Sequence, residues 1–256
     1  MKLFKYTLFF IALSFSVTSC RVQLEPIEIL TFQQKLEKLF PSAEITKLEE
    51  KDHFLSEYQL ILNQPLDHKK PSKGSFKQYV YLSHINENSP TVIVTEGYNA
   101  NPRTYELTKI LKGNQVQVEY RFYGKSRPDS IQWNYLKNDL AIEDYHKIVT
   151  KLKRIYTGKW LSTGISKGGE TVLIYKSKYP WDIDIAVPYV APLINSQEDV
   201  RTQEHINSVG SDDCKLKIKQ FQRVVLKNRI GVLNEIENYA AAKGMSFTEL
   251  SVEEAL

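Results

Sequence analysis

The chain has 256 residues, 42% of them hydrophobic and 25% charged, with a net charge of +4 at pH 7. That supply of apolar side chains supports one main core. The basic excess is scattered as single lysines, so it offers no clustered face for nucleic acid, and no repeat or low-complexity tract points to an array or a linker.

The first twenty residues have their own logic. Lys2 and Lys5 flank a basic start, and the apolar run Tyr6 to Val17 is too short to span a bilayer but has the form of a signal-peptide core. Val17-Thr18-Ser19-Cys20 follows, and small residues directly before a cysteine resemble a bacterial lipobox. The expectation is a lipoprotein signal peptide over 1–20, with Cys20 as the lipidated residue that ties an exported body to a membrane surface. Residue 21 is Arg, so the aspartate that often signals inner-membrane retention is absent. The alternative is an ordinary signal peptide with a chance cysteine. Cys214 is then the only cysteine of the mature body, which leaves it free or paired with a cysteine elsewhere.

Residues 21–50 read as a tether and a short helix, with Phe32, Leu36, Leu39 and Phe40 at helical spacing and Pro41 ending the pattern. Residues 51–194 read as an α/β core. Phe54 to Leu62 and Phe76 to Ile85 alternate apolar and polar residues, which predicts an antiparallel pair joined by a loop over Asn63 to Lys73. The β-branched run Pro90 to Thr95 predicts a strand buried on both faces. A helix is expected over Pro102 to Leu111, a strand over Gln115 to Phe122, and an amphipathic helix over Leu140 to Tyr156 with Ile142, Tyr145, Ile148, Val149 and Leu152 on one stripe. A strand over Trp160 to Gly164, a helix over Gly168 to Tyr179 and a strand over Ile183 to Val190 complete the series. This alternation implies a mostly parallel sheet with helices on both faces. Residues 195–256 contain no strand-like run and read as the start of a helical cap, clearest over Leu216 to Leu233 and near Val252.

The chemistry gathers at Gly164-Ile165-Ser166-Lys167-Gly168, which fits G-x-S-x-G. Ser166 falls directly after a predicted strand and directly before a predicted helix, the context a nucleophile on a tight turn requires. The N–H of Lys167 and the helix dipole then face the reacting centre and form half of an oxyanion site. The other half is expected in Glu96-Gly97-Tyr98-Asn99, where a Gly97 or Tyr98 N–H reaches the carbonyl oxygen; the alternative is a structural turn.

Gln64-Pro65-Leu66-Asp67-His68, Thr95-Glu96-Gly97-Tyr98, the run Glu119 to Pro128 and Gly164 to Gly169 together resemble the secreted PS-10 type tripeptidyl aminopeptidases, serine peptidase family thirty-seven of the α/β-hydrolase clan. A more distant similarity is to prolyl carboxypeptidase and dipeptidyl peptidase II. The resemblance implies an exopeptidase that removes short peptides from free N-termini. It also implies a helical cap after the strand ending near Pro192, with the acid and the histidine C-terminal to that cap.

The chain supplies neither in the required order. After Ser166 the only histidine is His205, among predicted cap helices. His53, His68, His84 and His146 precede the serine, and Asp182 and Asp184 precede a strand rather than follow one. His68 is expected to face solvent. The simplest expectation is a C-terminally incomplete chain, inactive alone, with the last sheet strands and both triad partners beyond residue 256.

Reading a free α-amino group calls for a carboxylate near the nucleophile. Glu96 is the candidate; the alternative is that it bonds backbone or Arg121 and holds its loop. Arg121 and Arg127 are expected to fix loops by bidentate bonds. No Walker, dinucleotide or metal-ligand motif occurs, so no cofactor and no metal is expected. Peptide substrates and a membrane surface are the expected partners, and nucleic acid is not. An esterase of the same fold and a non-catalytic peptide-binding lipoprotein remain as alternatives. Cys20→Ser is expected to move the protein from the membrane to the soluble fraction; full retention in the membrane fraction counts against lipidation.

Overall fold

The computed structural model describes residues 30–194, 196–248 and 250–255. The apolar leader and Cys20 lie outside the described residues. No helix among those described is long and apolar enough to cross a membrane. The chain divides after Pro192 into two units.

The first unit is built on one seven-stranded sheet. Its strands are β1 (Glu44–Leu48), β2 (Ser56–Pro65), β3 (Ser75–His84), β4 (Thr91–Thr95), β5 (Asn114–Val118), β6 (Trp160–Ile165) and β7 (Ile185–Tyr189). They lie in the order β1-β2-β3-β5-β4-β6-β7. β1, β2, β3 and β5 pair antiparallel, whereas β5, β4, β6 and β7 pair in parallel. β4 and β5 are buried at every position, as parallel strands covered on both faces must be. Along β4 the faces separate cleanly. Ile93 joins Val80, Leu82, Val116 and Val118 in the main core, against α1 (Phe32–Leu39), α3 (Asn138–Leu152) and Tyr175 of α4 (Lys167–Lys178). Val92 and Val94 point the other way, with Leu161, onto Tyr105, Leu107 and Leu111 around α2 (Glu106–Leu111). Helices therefore cover both faces, and the unit is an α/β fold of the α/β-hydrolase type. Each such apolar side chain contributes about 1.5–3 kcal/mol by leaving water.

Several boundaries differ from the sequence reading. β1 was not expected: Ile45 and Leu48 are only half-buried at the sheet's edge, and the alternation over five residues is too short to read. Together with α1, which buries Leu36 and Leu39, it makes residues 32–48 part of the core unit and not a tether. β2 runs on through Pro65, where a loop was expected, because Asn63, Gln64 and Pro65 pair with Lys77, Phe76 and Ser75. α2 starts at Glu106 and not at Pro102. Buried glutamines on β5 hold the chain before it: Gln115 accepts from the Tyr105 N–H at 2.9 Å and donates to the Arg103 carbonyl at 2.8 Å, and Gln117 donates to the Asn101 carbonyl at 3.1 Å. β5 ends at Val118, four residues early, and Phe122 takes φ 67° as the chain turns away.

The second unit is helical, with α5 (Val200–Ser208), α6 (Asp212–Lys227), α7 (Arg229–Ala242) and α8 (Val252–Ala255). Asp199 and Ser211 cap the first two by accepting the N–H groups of Arg201 and Cys214. The single helix expected over 216–233 is broken at Asn228, whose φ −101° and ψ 41° leave the helical region. Asparagine side chains compete for backbone bonds and favour such breaks. Cys214 is exposed and free.

His84, at the end of β3, shows how α1 is clamped. Its ring stacks on Phe32 with centroids 3.7 Å apart, and its Nδ1 lies 3.1 Å from the Tyr156 hydroxyl. Burial pushes the imidazole down to about 4, against an opposing pull from Glu87. The folded protein therefore holds His84 neutral while the unfolded chain protonates it near 6.5. Stability is full above that value and is lost as pH falls towards 4. Melting temperature is expected to drop across this window, and His84→Gln is expected to flatten the slope; an unchanged slope in the variant removes His84 as its source.

Candidate active site

β6 passes into α4 through Ser166, whose φ 56° and ψ −120° lie in a region that side-chain-bearing residues rarely adopt. The turn is held from outside: the Ser166 N–H donates to the Tyr189 carbonyl at the end of β7, at 3.0 Å. It is closed from inside by contact between backbones. A Cβ on Gly164 would lie 2.5 Å from the Gly168 carbonyl carbon and 2.7 Å from the Thr95 oxygen. One on Gly168 would collide with the same Thr95 oxygen. The Thr95 hydroxyl also donates to the Gly168 carbonyl at 3.0 Å. The result leaves the serine exposed at the mouth of the sheet, at the N-terminus of a twelve-residue helix.

The loop after β4 lies against this turn. A Cβ on Gly97 would be 2.7 Å from the Gly168 nitrogen and from Lys167 Cβ, so glycine lets the loop backbone reach the start of α4. Its three carbonyls are all engaged. That of Glu96 accepts from the Tyr145 hydroxyl at 3.1 Å, that of Gly97 from Lys167 Nζ at 2.8 Å, and that of Tyr98 from the Tyr120 N–H at 3.1 Å. The N–H groups of Gly97 and Tyr98 have no acceptor among the described residues. Lys167 Nζ also sits 3.5 Å above the Tyr120 ring, with the rings of Tyr123 and Tyr98 at 5.0 and 5.2 Å. Burial lowers this ammonium to about 8, partly offset by Glu170. Sequence reasoning assigned Lys167 its backbone N–H alone and missed the side chain; the three tyrosines on neighbouring strand ends are the signal that was available.

Buried charge holds the surrounding loops. Glu119 accepts from the Ala100 N–H at 3.0 Å and from both the N–H and hydroxyl of Ser126 at 2.7 Å. Arg121, fully buried, forks onto Asp144 of α3 with two bonds of 2.8 Å. It also donates to the carbonyls of Leu66 and Tyr135, at 3.1 and 2.8 Å. His68 adds its Nε2 to the same carboxylate at 2.6 Å. Its side chain is 7% exposed, which corrects the solvent-facing expectation: the loop bearing it folds back over the Arg121–Asp144 pair. The loop-fixing role expected of Arg121 is the one its bonds describe.

The remaining candidates fall elsewhere. Glu96 does not meet Arg121; its Oε1 takes the Tyr105 hydroxyl and, at 2.7 Å, the Gln117 amide. Asp182 is bound by His146 at 2.7 Å and by the Tyr175 hydroxyl at 2.8 Å. Asp184 caps the start of β6 by accepting from the Trp160 N–H at 2.9 Å, at the end of the strand opposite Ser166. His205 lies on α5 in the second unit. Among the described residues, no histidine or carboxylate hydrogen-bonds Ser166, and no group of side chains is arranged to hold a metal.

Comparison with known proteins gives this geometry a family. The model of the PS-10 peptidase S37 family matches residues 34–255. The chain belongs to that family. A prolyl tri/tetrapeptidyl aminopeptidase of Streptomyces mobaraensis is 38% identical over 191 residues, covering 73% of this chain and 40% of that protein. A human lysosomal Pro-X carboxypeptidase is 29% identical over 100 residues, 35% of this chain and 20% of that one. The chain thus spans less than half the length of these curated relatives. Acetyl xylan esterase 1 from a Thermoanaerobacterium is a structural neighbour with a TM-score of 0.44 and 13% identity, over 75% of this chain and 66% of that one.

In this S37 family member, the Asp144 carboxylate answers two buried partners at once. Asp144→Ala is expected to destabilise the fold by about 3–5 kcal/mol in urea unfolding, because it leaves Arg121 charged and unpaired. Asp144→Ala with Arg121→Met is expected to recover part of that loss; a double variant as unstable as the single one would refute the account.

Proposed function

We propose that the chain carries the nucleophile half of an exported serine aminopeptidase that removes short peptides from free N-termini. The observation that carries this reading is Ser166 in its positive-φ turn, facing a loop whose carbonyls are all engaged and whose N–H groups are not. The Ser166 hydroxyl attacks the scissile carbonyl and passes its proton to a histidine base. The carbonyl oxygen becomes an oxyanion held by the Lys167 N–H and by Gly97 or Tyr98 N–H. Collapse expels the amine with that proton and leaves an acyl-enzyme, which water then cleaves.

The base and its acid are proposed to follow residue 256 in a longer product. The 40% coverage of the Streptomyces protein supports this, as does the order nucleophile, acid, histidine in α/β-hydrolases. Lipid attachment at Cys20 and display at a membrane surface belong to the same proposal and rest on the leader sequence. Glu96 is proposed to read the substrate amine through Oε2, the oxygen that takes no bond from Tyr105 or Gln117. The Streptomyces relative is a prolyl tri/tetrapeptidyl aminopeptidase, which makes proline-containing tri- and tetrapeptides the first substrates to try.

The full-length protein is expected to hydrolyse a tripeptide anilide with a free amine much faster than its N-acetylated form or a short acyl ester, and Ser166→Ala is expected to lower kcat by about 10⁴-fold or more. Preference for the ester would move the assignment to an esterase. Peptide binding without turnover, equal in wild type and Ser166→Ala, would move it to a non-catalytic binding protein.

A further inference from the structure

The side chain of Lys167 has no role in the mechanism above, yet it is held on several sides. Its stem leaves the residue directly after the nucleophile, and its Nζ ends 2.8 Å from the Gly97 carbonyl oxygen. The same Nζ stands over the faces of Tyr98, Tyr120 and Tyr123. Tyr98 belongs to the loop after β4, and Tyr120 and Tyr123 to the loop after β5. One ammonium thus joins three segments that meet at Ser166. The ring faces attract it through their quadrupoles, an interaction strengthened where water is thinned out.

The bond to Gly97 has a directional consequence. The carbonyl of Gly97 and the N–H of Tyr98 belong to one planar peptide unit, and no cis bond occurs among the described residues. In a trans unit these two groups point in opposite directions. Drawing the Gly97 oxygen towards the tyrosine cage turns the Tyr98 N–H the other way. The neighbouring carbonyls, on Glu96 and Tyr98, are drawn off by Tyr145 and Tyr120. Consecutive N–H groups left on the concave side of such a turn form an anion-binding nest.

We propose that Lys167 is a positioning residue: its caged ammonium, bonded to the Gly97 carbonyl, aims the Tyr98 N–H at the oxyanion formed on Ser166. This rests on the reading of Ser166 as the nucleophile. The proposal also gives the site a pH dependence. The groups facing Nζ are the phenols of Tyr98, Tyr120 and Tyr123 from the two loops and Glu170 on its own helix. Burial raises the Tyr120 phenol, so it stays neutral over the working range. Lys167 itself loses its proton near pH 8, and with it the attraction to the rings.

The test uses the full-length protein, a free-amine tripeptide anilide, and the variants Lys167→Met and Lys167→Arg. Lys167→Met keeps the stem and removes the charge. It is expected to lower kcat by about 10²-fold, the scale of one misplaced oxyanion donor, with KM changed less than about threefold. A peptide aldehyde, which mimics the oxyanion, is expected to lose affinity in step with kcat/KM. Wild-type kcat is expected to fall above pH 8; Lys167→Met should lack this alkaline limb, and Lys167→Arg should move it upwards. Circular dichroism melts check that both variants fold. A folded Lys167→Met with wild-type kcat, or with its loss confined to KM, overturns the proposal. A wild-type protein that hydrolyses neither anilide nor ester overturns the enzyme reading itself, and the positioning role with it.

Discussion

The site depends on one contact made chiefly between main chains. Where β6 becomes α4, the main chain at Gly164 and Gly168 meets itself and the Thr95 carbonyl, and Gly97 brings the β4 loop against the same turn. Any Cβ at these points would fall inside van der Waals distance of another backbone. The close approach places the Ser166 turn at the C-terminal end of β6, where the serine takes positive φ. It also sets the Gly97–Tyr98 peptide beside the first N–H of the helix. Strand order makes the contact possible: β4 and β6 are neighbours in parallel, so their C-terminal ends rise side by side.

Around that contact, loops are held by buried charges beside a small apolar cluster of Leu66, Phe76 and Phe122. Glu119 ties the turn at Ala100 to the turn at Ser126, and Arg121 with Asp144 and His68 ties the end of β5 to the β2–β3 connection and to α3. Charges out of water are costly unless every partner is in place. Here Arg121 spends its donors on a carboxylate and on main-chain carbonyls, so the loops it spans have one low-energy arrangement. Catalytic sites gain from such stiffness, since the donors awaiting an oxyanion need no reorganisation when the charge forms.

The core strands and the strand–helix turn at Ser166 were readable from the chain because both are written in local patterns. Val92 to Val94 is a β-branched run, the stripe from Ile142 to Leu152 has helical period, and the two glycines flank a serine at a strand–helix junction. What escaped was decided by residues far apart in sequence. β1 exists because Glu44 to Leu48 finds the edge of β2, and α2 starts late because Gln115 and Gln117 reach across to the preceding loop. His68 looked solvated in a polar loop until Asp144, 76 residues on, was placed beneath it. Lys167 looked like a backbone donor because its cage is assembled from two other loops.

The turn at Ser166 also says how this sequence would age if the proposed hydrolysis stopped mattering. The glycines at 97, 164 and 168 answer to packing, so they would persist in a descendant that only bound peptides. Ser166, in the role proposed for it, answers to chemistry and not to packing. Its side chain caps nothing, is exposed, and strains the chain at φ 56°. Glycine there would relieve the strain and stabilise the fold. A lineage released from catalysis would thus drift first at the serine while its flanking glycines stayed in place. On the proposed role of Ser166, a relative that keeps these glycines but has lost the serine would be a chain released from hydrolysis.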